Sequence, residues 1–116
     1  MTEKKLPNAG DEKIIALEEE ILEELIELEE WVKAKKKPRK AKKYIIRIDK
    51  EKITVSVHSM TGREILALVN KTPDKFKLHE WFPGHVEKEI KPEEIVEFYR
   101  CEVERFMTNP REATEG

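Results

Sequence analysis

Gly116 ends a tail of eight residues, Asn109 to Gly116, that follows a segment rich in strand-forming residues. A glycine carboxylate is an accessible, unbranched acyl group. Without a Cβ it enters narrow channels and takes backbone angles closed to other residues. Fully extended, eight residues reach at most about 28 Å, enough to thread from a folded body into another protein's active site. The chemistry this allows is activation of the carboxylate as an acyl-adenylate, followed by acyl transfer. Other reactive side chains are few. Cys101 lies between Arg100 and Glu102 with no histidine near it in sequence, so it reads as an incidental thiol rather than a nucleophile. His58, His79 and His85 have no metal-ligand spacing with Cys101 or with one another; they read as surface histidines, and no metal site is expected.

The elements that must carry the tail come in two halves. Residues 1–10 contain Pro7, Asn8 and Gly10 with few apolar side chains and read as disordered. Asp11 then offers a helix N-cap. Ile14, Leu17, Ile21, Leu25, Leu28 and Val32 recur at helical spacing, with a run of glutamates on the other face. The spacing predicts an acidic amphipathic helix over 11–33. Residues 34–43 carry Pro38 and almost no apolar side chain, and read as a basic, solvated linker.

From Tyr44 the periodicity changes to two. Tyr44, Ile46 and Ile48, then Ile53, Val55 and Val57, alternate with polar residues around Asp49-Lys50-Glu51-Lys52, which predicts a β-hairpin. Thr61 and Glu64 match a capping box opening a short helix, and Pro73 blocks its continuation. Phe76 to Trp81 reads as a third strand and Val86 to Ile90 as a weak edge strand. Glu104 to Thr108 reads as a last strand returning beside the first. A hairpin, a helix across the sheet and a parallel returning strand make a β-grasp over 44–108, with 109–116 as its tail. The predicted class is α+β, a β-grasp behind a long amphipathic helix.

Composition sets the outer limits. Of 116 residues, 41% are charged and 38% hydrophobic, so the core must be small. The net charge of −2 hides a separation: residues 11–30 hold ten carboxylates and one lysine, whereas residues 33–43 hold eight basic residues and no acid. One cysteine excludes an internal disulfide and fits a reducing compartment. No run approaches the ~20 apolar residues of a membrane span, and no signal-peptide core opens the chain, so a cytoplasmic protein is expected. The run Lys35-Lys36-Lys37-Pro38-Arg39-Lys40 suits nucleic acid or an acidic partner surface. It lacks interleaved aromatics, so nucleic acid is not expected, and Trp31 and Trp81 read as packing residues.

The second half resembles a known family. Ile46-Arg47-Ile48-Asp49, Thr61-Gly62-Arg63-Glu64-Ile65-Leu66, Lys71-Thr72-Pro73, Val103-Glu104-Arg105-Phe106-Met107-Thr108 and Thr114-Glu115-Gly116 together resemble the bacterial multi-ubiquitin domain, a ubiquitin-like β-grasp. The resemblance spans Tyr44 to Gly116. It implies a modifier, not an enzyme, handled by an E1-like activating enzyme, an E2-like carrier and a metal-dependent deconjugating peptidase, and joined to target proteins through Gly116. Arg111, Glu112, Ala113, Thr114 and Glu115 would be the residues threaded into the activating enzyme. ATP and magnesium would be that enzyme's, and this chain would hold no cofactor. The chain has one copy where family members can have several, and Glu-Gly where eukaryotic ubiquitin ends in Gly-Gly.

The residues also support a different class of function, a noncovalent interaction module assembled through the stripe Ile14, Leu17, Ile21, Leu25, Leu28 and Val32. That stripe would dock on the sheet, self-associate into a homo-oligomer, or fill a partner's groove. A sulfur carrier is a third, weaker reading.

Overall fold

The computed structural model of the chain describes residues 23–100 and 102–112. Eight strands and two helices follow one another in it: β1 (Glu23–Glu27), α1 (Leu28–Lys33), β2 (Ala41–Ile48), β3 (Glu51–Val55), β4 (Ser59–Thr61), α2 (Gly62–Ala67), β5 (Phe76–Phe82), β6 (Val86–Ile90), β7 (Ile95–Glu97) and β8 (Arg105–Pro110). Six strands form one mixed sheet. β3 pairs antiparallel with one edge of β2, while β1 and β8 share its other edge, both parallel to it. Beyond β8 lie β5 and then β6, both antiparallel to their neighbours. β4 and β7 make a separate two-stranded ribbon.

The period-two pattern decides which face is buried. Tyr44, Ile46 and Ile48 of β2 are fully buried, and so are Phe106 of β8 and Phe98, while Leu78 of β5 is 1% exposed. The rings of Tyr44, Phe98 and Phe106 follow one another through this core, with centroids 5.6 and 6.5 Å apart. α2 closes the same side with Ile65 and Leu66. Its N-terminus is a complete capping box: Thr61 Oγ1 accepts the Glu64 N–H at 3.2 Å, and the Glu64 carboxylate accepts the Thr61 N–H at 2.8 Å.

The fold class expected from the sequence is corrected. Strands make up 47% of the structure, and α1 and α2, of six residues each, are the helices among the described residues. A β-grasp behind a long amphipathic helix is therefore not the fold class found. Within the expected 11–33 helix, Glu23–Glu27 is a strand. The reason is tertiary. β8 meets β2 at Ile48, which leaves the backbone of Ala41 to Ile45 open on that edge, and β1 pairs with it from Glu23↔Ala41 to Glu27↔Ile45. Ion pairs Glu23–Arg39 and Glu24–Lys42 bring the acidic strand and the basic segment together, and Glu27–Lys52 ties the same strand to β3. A lone helix in water is marginal unless a packed face holds it, so this pairing outweighs the helical spacing. Residues 1–22, with the expected disorder of 1–10, lie outside the described residues. The expected linker 34–43 gives Ala41, Lys42 and Lys43 to β2, and its Pro38 is buried. No helix among the described residues is long and apolar enough to cross a membrane.

One buried carboxylate interrupts the core side. Glu80 of β5 is 6% exposed, and burial raises its carboxyl above the usual range, Lys88 pulling it back and Glu94 pushing it further up. A raised folded-state value means that ionisation costs stability. The cost is absent below the unfolded value and complete above the folded one. Glu80→Gln is therefore expected to raise the melting temperature at pH 7, with the gain closing as the pH falls to about 4. Parallel thermal melts at the two pH values check this.

Candidate functional site

β8 leads into the tail, and its position is set from both sides. Along one edge it lies against β2, with the Asp49 N–H donating to the Phe106 carbonyl at 2.9 Å. Along the other it pairs with β5 as far as Phe76↔Pro110.

The end of β8 is tied to two turns. Asp49 begins the β2–β3 turn with φ of 55°, a left-handed angle that aspartate tolerates better than most residues. Its carboxylate accepts both the Thr108 N–H, at 2.8 Å, and the Thr108 hydroxyl, at 2.7 Å. Lys71, just after the turn that ends α2, places Nζ 3.3 Å from the Asp49 carboxylate and 2.7 Å from Thr108 Oγ1, over the Phe76 ring at 4.6 Å. Burial pushes the Asp49 carboxyl up. The Thr108 hydroxyl and N–H and the Lys71 ammonium outweigh it, so the group sits below the usual carboxylate range.

A depressed value contributes stability above the unfolded pKa and loses it as the pH falls through the folded one. Asp49→Asn keeps the left-handed angle accessible but loses the charge. It is expected to cost about 1–2 kcal/mol at pH 7, with the difference from the parent shrinking below about pH 4. Denaturant melts at neutral and acid pH measure it.

Beyond β8, Arg111 is held on the body. Its N–H donates to the Lys75 carbonyl and its Nε to the Pro73 carbonyl, each at 2.8 Å. Glu112 is exposed. Of the residues expected to thread into an activating enzyme, Arg111 is thus anchored by polar contacts that its lack of apolar bulk did not foretell, and Glu112 is the last that the structure describes. Ala113, Thr114, Glu115 and the acyl residue Gly116 lie outside the described residues, as does Cys101.

The expected helix stripe is divided. Ile14, Leu17 and Ile21 lie outside the described residues. Leu25 is on β1, exposed, while Leu28 and Val32 of α1 are buried in the chain's own core. The histidines have assigned neighbours: His58 Nε2 lies 3.0 Å from the Ala41 carbonyl, His79 Nδ1 lies 3.0 Å from Asn109 Nδ2, and exposed His85 stands edge-on to Trp81. Glu27, Glu29 and Glu30 bring carboxylate oxygens within 4.8 Å of one another. Lys33, Arg47 and Lys52 already occupy Glu29, and Lys52 also pairs with Glu27, so ion pairing accounts for two of the three carboxylates.

A second polar feature was missed in the sequence. Trp31 of α1 carries two cations of the basic segment over its ring, Lys36 Nζ at 5.1 Å and Arg39 Cζ at 5.7 Å from the centroid. The aromatic is supplied from the preceding helix, because Lys35, at φ of 62°, turns the chain back and the Lys36 N–H donates to the Trp31 carbonyl. The only hint in the sequence is a tryptophan at the edge of a lysine run. Comparison with protein-family models, with curated proteins and with solved structures finds no match to this chain.

Proposed function

We propose that the chain is a protein modifier, carried on Gly116 and without catalytic activity of its own. One observation supports this reading above the rest. Asp49, Lys71, Pro73 and Thr108 come from three separate strings that carry the family resemblance, and all four meet at the base of the tail, with Arg111 clamped beside them. A hydrogen-bonded base at the start of the tail is what an activating enzyme needs. It can grip the domain while the tail reaches its nucleotide.

Once Gly116 carries a free carboxylate, an oxygen of that group attacks the α-phosphorus of ATP, and pyrophosphate leaves. An enzyme cysteine thiolate then displaces AMP to give a thioester, which a carrier enzyme and finally a nucleophile on the target receive. The activating and carrier enzymes and a deconjugating peptidase are the proposed partners.

The test is to incubate the full chain with a purified E1-like enzyme and ATP and to measure intact masses. An enzyme–modifier thioester, cleaved by excess thiol, is expected for the parent and for Cys101→Ser. Deletion of Gly116 should remove the adduct and leave the melting temperature unchanged. Adducts that persist in the deletion variant would overturn the reading.

A further inference from the structure

We propose that the basic turn at Lys33–Lys40, with Trp31, is a docking surface for an acidic polypeptide segment. It goes beyond the modifier reading and does not depend on it. β5 runs from the tail base at Phe76 to Phe82, next to Pro83 beside the basic turn, roughly 20 Å, so the two features stand at opposite ends of the sheet.

The turn is a built surface rather than a loose linker. Pro38 is buried beneath it. The Tyr44 hydroxyl, on a fully buried ring, donates to the Arg39 carbonyl at 2.7 Å and accepts the Ala41 N–H at 3.0 Å. Lys33, Lys35, Lys36, Lys37 and Arg39 are exposed above this anchor. Two depressions flank the turn, of about 380 and 420 Å³, with Lys36 and Lys37 lining both. Val32 and Pro83 give the first an apolar lining, and Trp31 gives the second an aromatic one.

The shape of the charge selects the partner. Glu102 and Glu104 line the first depression and Glu23 the second. A nucleic-acid strand, with a phosphate at every step, would press charge against these carboxylates. An acidic peptide spaces its charges with apolar residues. Its carboxylates meet the lysines while its apolar side chains meet Val32, Pro83 and Trp31, avoiding the three glutamates.

The experiment uses the full chain carrying Trp81→Phe, which leaves Trp31 as the reporting tryptophan. The probe is a short peptide of alternating glutamate and leucine; the controls are its glutamine counterpart and oligothymidylate. The acidic peptide is expected to shift Trp31 emission saturably, with affinity falling as salt rises. Lys35→Gln/Lys36→Gln/Lys37→Gln should weaken it roughly tenfold without changing the melting temperature. The proposal is overturned if the glutamine peptide binds equally well, if oligothymidylate binds more tightly, or if the triple variant binds like the parent. None of these outcomes bears on thioester formation at Gly116, so this surface and the modifier reading fail separately.

Discussion

Truncation of Phe106 to alanine is expected to destabilise the fold by about 3–5 kcal/mol, the range for emptying a buried aromatic site. Phe106 is fully buried in β8, paired in parallel with Ile48 and cross-strand with Glu80, and its ring meets Phe98 edge-on at 6.5 Å. The hole would open where β2, β5 and β8 converge, so the backbone pairing on both sides resists collapse into it. A urea melt should show a lower midpoint with little change in slope. Phe106→Leu, which refills most of the volume, should recover the larger part of the loss. A change below about 0.5 kcal/mol in the alanine variant would remove Phe106 from the core.

Gly62→Ala should be the next most damaging of these substitutions, although it adds only a methyl group. A Cβ at Gly62 would stand 2.5 Å from the Lys91 carbonyl oxygen and 3.0 Å from Ile90 Cγ2. The obstacle is backbone, so it does not swing aside as a side chain would. The Gly62 N–H donates to the Glu94 carbonyl at 3.0 Å and the Arg63 N–H to the Pro92 carbonyl at 2.9 Å, which holds the 91–94 loop against the start of α2. Opening that loop strains both bonds and the β4–β7 ribbon beside them, where Thr61 pairs with Ile95. The expected cost is about 1–3 kcal/mol, read as a lower melting temperature. Gly84 is the contrast. Its φ is 84° and a Cβ there meets nothing within 4 Å, so replacement would strain the backbone without any clash.

The two proposed sites divide the sheet between them. At one end Asp49, Lys71, Thr108 and Arg111 hold the base of the tail. At the other, Tyr44 and Pro38 hold the basic turn. A partner bound at the turn leaves the base of the tail at Arg111 uncovered, because β5 separates the two.

Several parts of this protein were readable from its amino acids alone, and they share one property: their determinants are close together in the chain. Tyr44, Ile46 and Ile48 alternate with polar residues because every second side chain of a strand faces the core, and all three are buried. Thr61 and Glu64 cap α2 through bonds spanning three residues.

What the tertiary structure decided involves partners far apart in sequence. Residues 23–27 carry helical spacing, yet they are a strand because the open edge of β2 offers backbone pairing and basic side chains no local pattern records. Trp31 sits among cations only because the chain reverses at Lys35. Thr108 is fastened to Asp49 across 59 positions. Periodicity reports which way a side chain must face. Which backbone edge is vacant, and which distant charge waits there, is settled only when the whole sheet has formed.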